Sequence, residues 1–274
     1  MNPRGVPIYG GDYSSDHASN LVYLFNSTST VVGTIKVGTD PAGIAYDPVN
    51  NEMMVANTGS NSVTFINART NVVLGSIPVG MAPPGLAYDL YNLEVYVANE
   101  GSNSLSVISP FNKVVATIST GAEPFGVAFN PLPLFIGSIY TANLGGTVTI
   151  ITGLRVTSLR LPCGATNVAE DFVNGEMYVD DYACSQVTVI LGTRIVASLG
   201  VGAGPFGVAF DPKTGFIYVS NTLSGTVTVL NGTKVALTVY LGSVPYGAGV
   251  AYDPANGLVY VAGGDPKYTT GGDA

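Results

Sequence analysis

The sequence is short of charge. Only 10 of 274 residues are Lys or Arg and 18 are Asp or Glu, so charged side chains make up 10% of the chain. Typical soluble domains carry about 25%. The net charge of −8 reflects scarce cations rather than abundant acids. No basic tract exists, which excludes a nucleic-acid footprint. There is no Trp, and there is a single His, at position 17. Runs of 18 or more apolar residues are missing, so no membrane-spanning helix is expected. The opening "MNPRGVPIYGGDY" has no apolar stretch of the kind a secretory signal needs. Either the chain is cytosolic, or it is a mature or excised form that has lost a targeting segment. Helical periodicity is absent, as are G-x-S-x-G, H-E-x-x-H and phosphate-loop motifs. Catalysis and a bound cofactor are therefore not expected. Few titrating groups also flatten stability against pH, which suits a harsh exterior.

What the chain does have is repetition. The segments GIAYDP (43–48), GLAYDL (85–90), GVAFNP (126–131), NVAEDF (167–172), GVAFDP (207–212) and GVAYDP (249–254) align. Their fifth residues, Asp47, Asp89, Asn130, Asp171, Asp211 and Asp253, are 42, 41, 41, 40 and 42 residues apart. Each unit holds four strand-like runs, such as FGVAF, GFIYVSN, GTVTVLN and TKVALTVYLG in the unit that begins at Phe206. Apolar residues alternate with small polar ones, as half-buried strands require. With Gly at 35 and Pro at 17, this predicts an all-β chain of four-stranded antiparallel blades, a β-propeller. Six blades are expected over residues 1–274, with seven as the alternative. In the six-blade reading the N-terminal strands (6–37) form one blade with the first strand at 249–253. A run at 257–264 is then left over, an edge able to pair with another copy. The Asp residues of the Asp-Pro turns are read as turn caps.

The second runs IYVSN (217–221), VYVAN (95–99), IYTAN (139–143), MMVAN (53–57) and MYVDD (177–181) resemble the YVTN family of β-propeller repeats. That family is found in archaeal surface-layer proteins and secreted bacterial proteins. The resemblance implies an extracellular, non-enzymatic structural or interaction module of a surface layer, appendage or adhesion assembly. Its partners would be other surface proteins or copies of itself. The unit around 167–172 departs from the pattern, with Glu170 replacing the ring and Phe172 replacing Pro.

In a propeller the second-to-third and fourth-to-first strand loops share one face, the usual ligand side. Here that face is expected to carry Asp12, Tyr13, Asp16, His17, Asp40, Glu100, Glu123, Asp180 and Asp181. The loop GGDYSSDHASN (10–20) offers oxygen and imidazole donors to a metal, or is simply solvated. Tyr13, Phe125, Phe206 and Tyr246 are candidate rings for a glycan or peptide, the rival to the structural reading. Lactone- or streptogramin-cleaving propellers, a third class, depend on metals or on His and Glu groups that are scarce here. Neighbouring strand residues point to opposite faces, so Asp180–Asp181 reads as a turn feature rather than an acid–base pair. Cys163 and Cys184 fall in loops on the same face of one blade. A bridge between them would close about 20 residues, worth roughly 3 kcal/mol in the chain-entropy model, and would imply an oxidising compartment. Asn26-Ser27-Thr28 and Asn231-Gly232-Thr233 match the glycosylation pattern at the turn after the third strand.

Overall fold

Val, Ile and Tyr alternating with Thr, Ser and Ala build one antiparallel sheet after another. The structure, a computed structural model, describes residues 12–26, 30–132, 137–241, 249–253 and 257–261. Contacts divide the chain into two units, Met1–Val127 and Ala128–Ala274.

The first unit holds three sheets. Strands β1 (Asp12–Asp16), β2 (Leu21–Phe25) and β3 (Val31–Lys36) form the first sheet. The second is β4 (Pro41–Asp47), β5 (Glu52–Asn57), β6 (Ser62–Asn67) and β7 (Val72–Pro78). The third is β8 (Leu86–Asp89), β9 (Glu94–Asn99), β10 (Ser104–Ser109) and β11 (Lys113–Ser119).

At the junction β12 (Pro124–Asn130) opens the fourth sheet, which continues with β13 (Ser138–Asn143), β14 (Thr147–Thr152) and β15 (Arg155–Arg160). The second unit adds a fifth sheet of β16 (Ala165–Asp171), β17 (Glu176–Asp181), β18 (Gln186–Leu191) and β19 (Arg194–Gly200). The sixth is β20 (Pro205–Asp211), β21 (Phe216–Asn221), β22 (Thr226–Asn231) and β23 (Lys234–Tyr240). Finally β24 (Val250–Asp253) pairs with β25 (Leu258–Val261).

The sheet count corrects the expectation of six blades: there are seven sheets among the described residues. The reason is local, because β24 takes β25 as its partner through four residue pairs. Residues 6–11, the start of the N-terminal strands expected at 6–37, lie outside the described residues. Among the described residues the first sheet begins with β1, so five residues of the long loop expected at 10–20, Asp12–Asp16, are strand.

Three devices recur. The first is the turn cap. Asp47 Oδ1 accepts from Val49 N–H at 2.8 Å, and Asp89, Asp171 and Asp211 accept from residues two ahead at 2.8–2.9 Å. The side chain thus closes the turn that the Asp-Pro pattern suggested. The second is a clamp at the end of each second strand. The Asn57 amide donates to Thr64 Oγ1 at 3.0 Å, with counterparts Asn99–Ser106, Asn143–Thr149 and Asn221–Thr228. These groups are buried and must be paired. The third is close approach between first strands. Gly43 N–H donates to the Pro84 carbonyl at 2.8 Å, and a Cβ at Gly43 would lie 2.7 Å from that oxygen. At Gly85 a Cβ would run into the Phe125 carbonyl oxygen.

Between sheets the core is apolar. Met54, Ala56 and Phe65 of the second sheet pack on Leu86, Val95 and Val97 of the third. Tyr140, Ala142 and Ile150 of the fourth pack on Met177, Val179 and Ile190 of the fifth. Tyr178, Val187 and Val189 of the fifth pack on Phe210, Ile217 and Val219 of the sixth. In each four-stranded sheet the fourth strand lies at one edge, and in β23 all seven residues are exposed.

Glycine is therefore needed at Gly85 but not at Gly75, around which a Cβ would meet nothing within 4 Å. Gly85→Ala is expected to lower stability by about 1–3 kcal/mol through overpacking. Gly75→Ala is expected to be neutral or stabilising by up to about 1 kcal/mol. Denaturant unfolding of the two variants distinguishes these outcomes.

Candidate functional site

The residues predicted for the loop face fall into separate groups. In the first unit, Asp16 closes its own turn, accepting from Ala18 N–H at 3.1 Å and from Ser19 Oγ at 2.5 Å. The Ser19 hydroxyl is the main reason its carboxyl sits below the usual range. His17 Nδ1 lies 3.5 Å from Asp40 Oδ1, with both side chains largely in solvent. Asp12 belongs to β1. Tyr13 is not an exposed ring: it packs against the core between the first and second sheets. Its hydroxyl donates to Asn71 Oδ1 at 2.8 Å, and burial raises its pKa. Glu100 begins a short 3₁₀ turn, and its carboxyl is raised by burial and by Glu123 nearby. Among the described residues no three His, Cys, Asp or Glu side chains are placed to share a metal ion. Phe206 meets Tyr182 edge to face at 6.3 Å, and Tyr246 lies outside the described residues. Asn231 is exposed at the end of β22. Asn26 Oδ1 accepts from Thr30 N–H, while Ser27 and Thr28 lie outside the described residues.

Asp180 and Asp181 correct an expectation. They are not turn residues but the last two residues of β17, and both are fully buried. They do point apart. Asp181 shares the face of Met177 and Val179, toward the fourth sheet, and Asp180 shares the face of Tyr178, toward the sixth. Asp181 occupies the clamp position held elsewhere by Asn57, Asn99, Asn143 and Asn221. With the amide gone the polarity reverses, so Thr188 Oγ1 donates to Asp181 Oδ2 at 2.6 Å and Gln186 Nε2 donates at 3.1 Å. Burial pushes its pKa up to about 6 despite those donors.

Asp180 stands where the other sheets have Ala56, Ala98, Ala142 and Ser220. Neither of its carboxyl oxygens has a partner. Burial, and then the charge of Asp181, raise its pKa well above the ordinary value. Opposite it, β16 bulges between Ala165 and Val168. Asn167, in the place of Gly43, Gly85 and Gly207, donates from Nδ2 to the Phe206 carbonyl. Glu170 replaces the ring of Tyr46, Tyr88, Phe129 and Phe210. Paired with Met177, it faces the fourth sheet, and burial lifts its pKa to about 7. The fifth sheet thus departs from the repeat at four positions, each time toward a polar or acidic group.

Beside this sheet lies a cleft of about 390 Å³, lined by residues 144–147 and 160–164. Its walls are the β13–β14 loop and the β15–β16 loop. Gly164 forms its tight corner, since a Cβ there would run into the Leu144 carbonyl oxygen. Cys163 is disulfide-bonded to Cys184, with Cα atoms 6.0 Å apart. In other sheets backbone bonds join the corresponding loops: Thr58 and Gly59 N–H to Asp40 and Thr39, and Glu100 and Gly101 to Ala82 and Met81. The bridge takes over that role here. Arg160 reaches the cleft from the end of β15. The same register position holds Pro78, Ser119, Gly200 and Tyr240 in the other four-stranded sheets. Sequence reading missed Arg160, because a lone Arg at a strand end carries no motif.

No protein-family model matches the sequence, and no curated protein does. Solved structures do match the fold. A streptogramin B lyase is similar with a TM-score of 0.79 at 12% identity, over 92% of this chain and 87% of that one. Virginiamycin B lyase from Staphylococcus aureus gives 0.77 at 11%, over 94% and 89%. A catalytically inactive His-to-Ala variant of the same lyase, with quinupristin, gives 0.67 at 12%, over 84% and 77%. The chain therefore has a β-propeller fold. These matches also correct the expectation of a non-enzymatic structural module of a cell surface, because the three solved structures just named are lyases.

Asp180 supplies a pH test with a defined sign. Below the unfolded carboxyl pKa of about 4, both states hold the proton and burial carries no ionisation penalty. As pH rises, the unfolded chain ionises first, and the wild type loses stability until the raised folded pKa is passed. Asp180→Ala, which installs the residue of three other sheets, is expected to gain about 1–3 kcal/mol at pH 7. That corresponds to roughly 2–4 °C per kcal/mol for a chain of this size. The gain is expected to shrink toward pH 3, and thermal melts across pH read it directly.

Proposed function

We propose that this propeller binds a small molecule on its loop face, in the cleft between residues 144–147 and 160–164. The observation that carries this reading is the cleft itself, about 390 Å³ in volume. It lies within the range of about 300–1,000 Å³ usual for small-molecule sites. It sits beside the sheet whose repeat pattern is broken by buried acids. Buried titratable groups are costly to keep, and they gather at functional sites more often than elsewhere. The bridged loop makes one wall rigid, which limits the ordering cost of binding.

Binding rather than turnover is the activity proposed. Acid and base groups have to reach the reacting atoms, and His17 and Glu170 are not among the cleft residues. The inactive lyase variant lacks a histidine, and this chain has only His17. We further propose that the repeats are of YVTN type, on the runs quoted above, and that the protein works outside the cell. A disulfide and the absence of any membrane-crossing helix among the described residues are compatible with that location.

Backbone-amide NMR of the full chain against a small-molecule panel tests the reading. Ligand-dependent shifts are expected at Gly145, Gly146 and Gly164, with the opposite ends of the same strands unmoved. Shifts confined to other loops, or a product appearing in the sample, would contradict it.

A further inference from the structure

We infer that the ligand of this cleft is a small organic oxyanion, a carboxylate or phosphate ester, gripped by Arg160 and the Gly164 backbone N–H. The inference rests on the small-molecule reading above and adds the ligand's chemistry.

A bond that the first three sheets make is missing at this place. The same position is held by Ser185 in the fifth sheet and Gly225 in the sixth, whose carbonyls accept from Val201 and Leu241 N–H at 2.9 Å. In the first three sheets the loops β1–β2, β5–β6 and β9–β10 each carry an Asn in the left-handed region: Asn20, Asn61 and Asn103, with φ of 59°, 51° and 50°. Each side-chain carbonyl accepts a backbone N–H from the next fourth-to-first loop. Asp40 N–H donates to Asn20 Oδ1 at 2.9 Å, Ala82 to Asn61 at 2.8 Å and Glu123 to Asn103 at 2.8 Å. The positions are fixed by a second bond, from Val37, Val79 and Thr120 N–H to the carbonyls of the same three Asn residues. In the fourth sheet the equivalent bond runs from Leu161 N–H to the Gly146 carbonyl at 3.0 Å. Gly146 therefore stands in the Asn position, and Gly164, three residues after Leu161, stands in the donor position.

Gly146 has no side chain to offer, so the space an Asn amide would fill is the cleft. Gly164 N–H has no hydrogen-bond acceptor among the described residues. Arg160, an exposed residue, belongs to the same lining and makes no ion pair among the described residues. No acidic side chain lines the cleft. A backbone N–H that has lost its carbonyl acceptor and an unpaired planar cation form two donors for one oxyanion. On a protein of net charge −8, this places the attraction locally rather than over the surface.

The deciding experiment is calorimetric and NMR titration of the full chain with succinate and with glycerol phosphate, beside glucose and a simple amine as controls. The wild type is expected to bind at least one of the two anions, with shifts at Gly164 and Arg160 and weaker affinity as NaCl rises. Carboxylate or phosphate is then distinguished by which probe binds. Arg160→Gln should weaken binding about tenfold or more. Gly146→Asn should abolish it while leaving the fold intact. A Cβ at 146 would meet Cys163 O at 3.5 Å, an ordinary contact, and Asn tolerates the φ of +82° found there. Binding of glucose or the amine at the cleft, unaffected by Arg160→Gln, would overturn the oxyanion inference and leave the small-molecule reading standing. Failure of every probe to move the cleft amides would overturn both.

Discussion

The interaction on which the rest depends is the hydrogen bond from a backbone N–H in one loop to an Asn side chain in the loop before it. Asn61 to Ala82, at 2.8 Å, is the simplest example. The geometry needs a residue that accepts a positive φ and also ends in a carbonyl, and Asn is the side chain that supplies both. Where Asn is present, neighbouring loops are joined by its side chain. Where Gly146 replaces it, the same backbone leaves a cleft and an N–H without an acceptor. The candidate site is a place where a packing rule has been withdrawn.

The neighbouring fifth sheet shows what other withdrawn rules cost. Asp180 in place of Ala, Glu170 in place of a ring and Asn167 in place of Gly each put a polar group where the repeat has apolar or backbone contact, and Asp181 puts an acid where the repeat has an amide. Burial raises the pKa of all three acids. The disulfide between Cys163 and Cys184 ties together the loops that flank this sheet, where other sheets rely on backbone bonds. Such exceptions in a repeated fold are informative because the other repeats supply internal controls.

Much of the fold was legible in the sequence. The spacing of Asp47, Asp89, Asn130, Asp171 and Asp211 gave the repeat, and the side chains cap turns as Asp-Pro chemistry suggests. Alternation marked the strands, and the two cysteines fell on loops that are bridged. The number of sheets was misjudged, because strand patterns do not say which partner β24 takes. Asp180 and Asp181 looked like turn residues, since consecutive acids at the end of a strand carry no sign of burial. Tyr13 looked like a surface ring, but its partners, Asn71 and the core between two sheets, lie far away in sequence. The cleft was invisible for a simpler reason. It is made by an absent side chain, and Gly146 becomes meaningful only when superposed on Asn20, Asn61 and Asn103.

Amide hydrogen exchange at single-residue resolution on the unliganded protein tests this account most directly. Ala82, Asp40 and Glu123 N–H groups, bonded to Asn side chains, are expected to be protected. Gly164 N–H is expected to exchange near the rate of an open loop. Protection of Gly164 equal to that of Ala82 would mean that it has an acceptor within the protein, and the account of the cleft would fail.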